Sequence, residues 1–205
     1  MKFVNVTGAI GAGATTLTKM LATRAGWQLA LESDVERRSP FLELYYRDPT
    51  RYALHNQLTF LVETIESDES IRTRHRGNET VIRDYCAFEH IEVYAECQRA
   101  LGMLSPPEFA LLRRIGDVIA SRFIRPDLLV YRRVPLNIVL ERIKERGRPS
   151  ERYADARLVE SVFRRFEDWV QDWTRSPKLI IDSNADFLRD GGAVDRVLDH
   201  ARKVV

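Results

Sequence analysis

The stretch Gly8-Ala9-Ile10-Gly11-Ala12-Gly13, followed by Ala14, Thr15 and Thr16, carries the strongest chemical signal in the chain. Glycines at this spacing let successive backbone N–H groups turn toward an anion, and a hydroxyl at the start of the following helix can hold Mg²⁺. The spacing Gly8-x4-Gly13 followed by Thr15 fits such a phosphate-binding loop. The lysine that usually neutralises phosphate charge there is replaced by Ala14. Gly8, Gly11, Ala12, Gly13, Ala14, Thr15 and Thr16 are therefore the candidate phosphate contacts.

A loop of this kind works only where a strand delivers it and a helix leaves it. Lys2 to Thr7 reads as a short strand rich in β-branched residues, and Thr15 to Ala25 has the helical spacing of Leu17, Met20 and Leu21. Trp27–Glu32, Thr80–Asp84, Asp127–Tyr131 and Lys178–Ile181 read as four further strands. Helices are expected from Pro40 to about Arg72 with a break at Asp48-Pro49, and over Phe88–Leu101, Pro107–Phe123, Pro135–Arg146, Tyr153–Trp173 and Ala193–Val204. Short buried-type strands alternating with helices predict an α/β fold, a five-stranded parallel sheet covered on both faces. With no internal repeat and no linker composition, one domain over 1–205 is expected.

Composition narrows the function. Lys and Arg number 32 against 30 Asp and Glu, a net charge of +2 over 205 residues, which argues against a dedicated nucleic-acid binder. No apolar run reaches the roughly 18 residues of a membrane span, so no membrane partner is expected and a cytoplasmic setting is. The two cysteines, Cys86 and Cys97, have no flanking ligands at metal spacing and read as buried structural residues.

From end to end the chain resembles the deoxynucleoside kinases, particularly the bacterial deoxyadenosine/deoxyguanosine kinase branch. The matching stretches are Gly8 to Thr16, Ser39 to Pro49 with Arg51 to Gln57, Val81 to Asp84, Pro126 to Tyr131, Leu140 to Arg148, and Phe166 to Trp169. Their order and spacing over nearly the whole length carry the resemblance. It implies a P-loop NTPase fold with an arginine-rich lid at about 142–152, ATP and Mg²⁺ as cofactors, a deoxynucleoside substrate and a homodimer.

The resemblance also implies roles. An acidic residue after the second strand takes the proton of the nucleoside 5′-hydroxyl. Counting from the phosphate-loop helix gives Glu32, and counting back from Pro40 gives Asp34; the strand fixes the first register, so Glu32 is preferred. Gln57 matches the amide that pairs with the base edge, Tyr46 and Glu151 the sugar-binding pair, and Tyr94 the ring that stacks on the base. Thr15 and, through water, Asp84 match the Mg²⁺ site. Arg142, Arg146 and Arg148 match the lid guanidinium groups, which bind phosphate oxygens in a bidentate way.

Two departures touch the chemistry: Ala14 in place of lysine, and Tyr85 where the family's Asp/Glu-Arg-Ser motif has its arginine. Loss of one preorganised donor commonly lowers a rate about 10²- to 10³-fold. Arg83 and Lys19 are the nearest replacements by sequence, yet Arg83 should point away from Asp84's face and Lys19 sits more than a turn into the helix. Two readings follow: a kinase transferring the ATP γ-phosphate to a deoxynucleoside 5′-hydroxyl, or a catalytically impaired relative that binds nucleotides or acts as a scaffold.

Overall fold

The structure is a computed structural model. It describes residues 1–32, 38–75, 77–146, 156–182, 187 and 191–205, the side chain of Arg146 excepted. Five parallel strands, β1 (Lys2–Thr7), β2 (Gln28–Ala30), β3 (Thr80–Arg83), β4 (Leu128–Arg132) and β5 (Lys178–Ile181), form one sheet in the order β2-β3-β1-β4-β5. β1 therefore lies in the middle, flanked by β3 and β4, and the loop that leaves its carboxyl end opens between them. That crevice is where ligands bind in open parallel sheets.

Period-two alternation sends each strand's residues to two different layers. Val4, Val6, Ile82, Leu128 and Val130 pack with α1 (Ala14–Ala25) and α8 (Gly191–Arg202) through Leu17, Leu21, Val194 and Leu198. Leu129 and Tyr131 face the other layer, which contains α3 (Pro49–Arg74), α5 (Pro106–Ile119) and α7 (Ala156–Asp172) with Leu61, Leu112, Phe166 and Trp169. α2 (Leu42–Arg47) precedes α3, and α6 (Leu136–Arg146) follows β4. Each fully buried Val, Leu or Phe contributes roughly 1.5–3 kcal/mol, so the two layers supply the main driving force.

The helix ends follow their sequences. Gly26 closes α1 with φ 69°, its N–H donating to the Ala22 carbonyl, a conformation that costs glycine nothing. Asp48 caps α3, accepting from the Arg51 N–H with Pro49 in the first turn. Ser105 and Glu108 form a reciprocal capping box on α5.

One element departs from the expected helix over Phe88–Leu101. His90–Ala95 is π-helical and only Glu96–Ala100, α4, continues as an α-helix. The wider turn has no glycine or proline to announce it. Glu92 within it accepts from Trp169 Nε1 at 2.6 Å and pairs with Arg175 Nη2 at 2.6 Å, fastening the segment to the far side of the core. π-Helical turns of this kind are common beside functional sites. The carboxyl-terminal helix also begins earlier than expected, at Gly191. Cys86 and Cys97 are free and buried, and among the described residues no helix is long and apolar enough to cross a membrane.

Candidate active site

β1 ends in Thr7 and passes directly into the glycine loop, in which Gly11 and Gly13 both take φ 86°. Glycine is needed here for space as well as conformation. A Cβ on Gly8 would lie 2.8 Å from the Arg132 carbonyl oxygen, closer than any side chain tolerates. The Ala12 N–H donates to the Ala9 carbonyl at 2.8 Å, which closes the turn. Ala12 itself is buried and packs with Val134, Val139 and Val159. It therefore shapes the loop from behind.

The loop opens into a cavity of about 500 Å³. Of the residues singled out from sequence, Gly8, Gly11, Gly13, Ala14, Thr15, Thr16, Glu32, Tyr46, Gln57, Asp84, Tyr94 and Arg142 all line it. Ala12 does not. Asp34, Arg148, Glu151 and the side chain of Arg146 lie outside the described residues.

Asp84, at the carboxyl end of β3, ties two parts of this site together. Its Oδ2 accepts from Thr15 Oγ1 at 2.6 Å, and its Oδ1 accepts from the backbone N–H of Glu32 at 2.7 Å. The same carboxylate thus holds the first turn of α1 and the second residue beyond β2. A hydroxyl and a carboxylate in contact are hard oxygen donors of the kind Mg²⁺ takes in ones and twos beside substrate phosphates, so the pair fits that ion. No group of three or more His, Cys, Asp or Glu side chains converges among the described residues.

α3 and the π-helical segment supply another part of the lining. Asn56 and Gln57 are buried there at 4% and 3% exposure. Asn56 Oδ1 and Gln57 Oε1 have no hydrogen-bond partner among the described residues. Buried amide oxygens are paired almost everywhere in folded proteins, and these two belong to side chains that line the cavity, which suits a polar ligand there. Tyr94 stands against Phe166 edge to face at 5.9 Å. Tyr46 lies beside the buried Tyr45, with ring centroids 5.3 Å apart.

Several lining residues carry no signal in the sequence reading. Glu89 is fully enclosed, accepting from Thr7 Oγ1 at 2.6 Å and from the Cys86 N–H at 3.0 Å. Burial pushes its carboxyl up to about 7. His90 Nε2 and Thr64 Oγ1 are 3.2 Å apart, and burial holds the imidazole down to about 3, so it is neutral. Arg132, the last residue of β4, also lines the cavity; its Nε donates to the Ala12 carbonyl at 2.7 Å. The apolar run Leu128 to Tyr131 followed abruptly by Arg132 and Arg133 was the available signal.

The departure at Tyr85 lies in the core. Tyr85 is buried at 1% exposure and takes no part in lining the cavity; its ring lies 4.2 Å below the guanidinium of Arg83. Arg83 is turned away as expected, donating from Nη1 to Asp68 Oδ1 at 2.5 Å with both side chains fully enclosed. Lys19 is exposed and lies outside the cavity lining.

Comparison with known proteins agrees with this geometry. The family model described as deoxynucleoside kinase matches residues 4–205. The deoxyadenosine/deoxycytidine kinase of Bacillus subtilis (strain 168) is 29% identical over 206 residues, covering 98% of this chain and 92% of that protein. A deoxyguanosine kinase of Lactobacillus acidophilus is 29% identical over 207 residues, covering 97% and 89%. A solved structure of deoxyadenosine kinase from M. mycoides with bound dATP superposes with a TM-score of 0.82 at 18% identity, over 98% of this chain and 100% of that one. The same enzyme with products dCMP and a flexible dCDP gives 0.84 at 18% identity, over 98% and 100%. A glycine loop at the centre of a parallel sheet, an Asp84 and Thr15 pair beside it, and a family match over almost the full length place this chain in the deoxynucleoside kinase family.

Proposed function

We propose that the chain transfers the γ-phosphate of ATP to the 5′-hydroxyl of a deoxynucleoside, through the residues gathered at this cavity. The observation that carries the reading is that the phosphate loop lines the same cavity as Asn56 and Gln57, whose amide oxygens have no partner among the described residues. The loop suits a polyanion and the amides the edge of a base. The relatives, named as kinases of deoxyadenosine, deoxycytidine and deoxyguanosine, favour this over a scaffold role.

In this reading the loop amides hold the phosphate chain of ATP at the amino terminus of α1. Mg²⁺, held by Thr15 and through water by Asp84, would neutralise charge on the β- and γ-phosphates. Glu32 accepts the proton of the 5′-hydroxyl as that oxygen forms its bond to the γ-phosphorus and the bond to the ADP oxygen breaks. Asp34 is the alternative base. The Gln57 amide offers one donor and one acceptor to the base, Tyr94 flanks its ring, and Tyr46 with Glu151 takes the sugar 3′-hydroxyl. Arg142, Arg146 and Arg148 close over the transferred group as a lid. A homodimer accompanies the reading, supported by Val62, Leu111 and Val118, which stand exposed on α3 and α5.

The test is a comparison of the wild type with Glu32→Gln and Asp34→Asn under Mg-ATP and a saturating deoxynucleoside. Glu32→Gln is expected to lower kcat about 10²- to 10⁴-fold with little change in KM. If Asp34→Asn produces that loss and Glu32→Gln does not, the base is Asp34. If neither variant lowers kcat, this mechanism is wrong.

A further inference from the structure

The reaction needs a cation close to the phosphate chain, and position 14 supplies a methyl group. Arg132 reaches the same loop from another element. The register Thr7↔Tyr131 between β1 and β4 sets Arg132 beside Gly8, and its backbone oxygen fills the space a Gly8 side chain would need. Its side chain then runs along the loop. Nε donates to the Ala12 carbonyl at 2.7 Å, and a Cβ on Gly13 would lie 3.5 Å from that same Nε. The guanidinium therefore stands beside the residue immediately before Ala14, within reach of any side chain placed there. Phe187 lies against its other face, 4.3 Å from Cζ to the ring centre.

A second guanidinium converges on the same spot. Arg142 Nη1, from α6, lies 3.4 Å from the Ala12 carbonyl and 3.9 Å from the Cβ position of Gly13. Two guanidinium groups from different elements meet at one loop carbonyl and both line the cavity. Guanidinium binds phosphate oxygens in a bidentate way and stays charged at every working pH.

We propose that Arg132, at the end of β4, supplies the positive charge that the phosphate loop lacks at position 14, binding the phosphate chain of the nucleoside triphosphate. The proposal rests on the reading of the loop as the triphosphate site. It differs in where the charge comes from: a neighbouring strand instead of the first turn of α1. Arg132 is fixed at one end by the Ala12 carbonyl and by Phe187, so little side-chain freedom remains to be lost when an anion arrives.

Calorimetric titration with Mg-ATP and with Mg-tripolyphosphate, in the absence of nucleoside, tests this in wild type, Arg132→Met, Arg132→Lys, Ala14→Lys and the double variant Arg132→Met/Ala14→Lys. Arg132→Met is expected to weaken both ligands about 10- to 100-fold, and Arg132→Lys, shorter and without the fork, by less. Binding of a deoxynucleoside alone, followed by its shift in melting temperature, should stay within twofold in every variant. The double variant should recover most of the lost affinity, because a lysine at position 14 restores the charge; a purely structural brace would not be repaired this way. Triphosphate binding unchanged in both Arg132 variants would overturn the proposal while leaving the loop's role intact. Loss of ATP but not tripolyphosphate binding would overturn it too, assigning Arg132 to the nucleoside part of the donor. Wild type that binds neither ligand would overturn the triphosphate site itself. Should Arg132→Met fail to fold, Arg132→Lys decides the matter on the same two titrations.

Discussion

Two buried arginines flank the central strand, and their surroundings are opposite. Arg83 ends β3 on one side of β1; Arg132 ends β4 on the other. Each lies over an aromatic ring, Arg83 4.9 Å from the centre of Phe3 and Arg132 4.3 Å from that of Phe187. Arg83 is sealed at 0% exposure against the carboxylate of Asp68 and away from the cavity. Arg132 gives its Nε to a backbone carbonyl of the phosphate loop and borders the cavity. Residue type and burial are alike. What a charged side chain faces separates an internal brace from a ligand contact.

The comparison breaks most visibly at Asp68. Its two oxygens serve Arg83 Nη1 and the Ile124 N–H at 2.6 Å, so Asp68→Ala strands a buried cation. Urea denaturation should show a loss of about 3–5 kcal/mol, with triphosphate affinity unchanged in whatever remains folded. Replacing both partners, Arg83→Met with Asp68→Leu, should recover a large part of that loss, because an apolar pair carries no desolvation cost. Full loss in the double variant would mean that Asp68 matters mainly for capping Ile124.

Acid–base behaviour sharpens the picture, since the charge on Arg83 acts on both Glu89 and His90, lowering each. Burial dominates in both groups, with opposite consequences. Glu89, raised from 4.5 to about 7, holds its proton in the native state where the unfolded chain has released it. Its contribution to stability is full below about 4.5 and is lost as pH rises to about 7. His90, lowered from 6.5 to about 3, contributes above about 6.5 and loses that contribution as pH falls toward 3. Between pH 4.5 and 6.5 the two oppose each other, each with a slope of at most about 1.4 kcal/mol per pH unit. Glu89→Gln should therefore leave a stability that rises with pH across that window, and His90→Gln one that falls. Identical pH profiles in both variants would refute the assignment.

The smallest expected effect is at Tyr85. Its ring supports Arg83, and its hydroxyl stands 3.5 Å from Arg83 Nη1. Tyr85→Phe keeps the ring and should cost about 0.5–1.5 kcal/mol in denaturation, with no change in kcat. A large catalytic effect would return Tyr85 to the active site.

Much of this is legible in the sequence. β1 and β5 begin and end at the residues that patterning selects, because β-branched runs bounded by polar and glycine residues leave little choice. The loop was readable from glycine spacing, and Gln57, Tyr46 and Tyr94, singled out through the resemblance, line one cavity. The π-helical turn was not legible, since its backbone is set by the Glu92 contacts to Trp169 and Arg175, residues far along the chain. Arg132 was missed for a related reason. Proximity along the sequence pointed to Arg83 and Lys19, whereas sheet order brings β4 beside β1 across more than a hundred residues. The cation proposed to replace the one absent at position 14 is reached through sheet order, not through proximity along the chain.

The central claim is that the cavity joins a triphosphate to a deoxynucleoside and that the 5′-hydroxyl is the acceptor. The direct measurement follows ADP and nucleoside monophosphate together, with Mg-ATP and each of the four deoxynucleosides in turn. ADP and a 5′-monophosphate should appear in equal amounts with at least one of them, and none should form from its 5′-deoxy analogue. ADP released at the same rate with and without nucleoside, or no monophosphate from any of the four, would contradict the account.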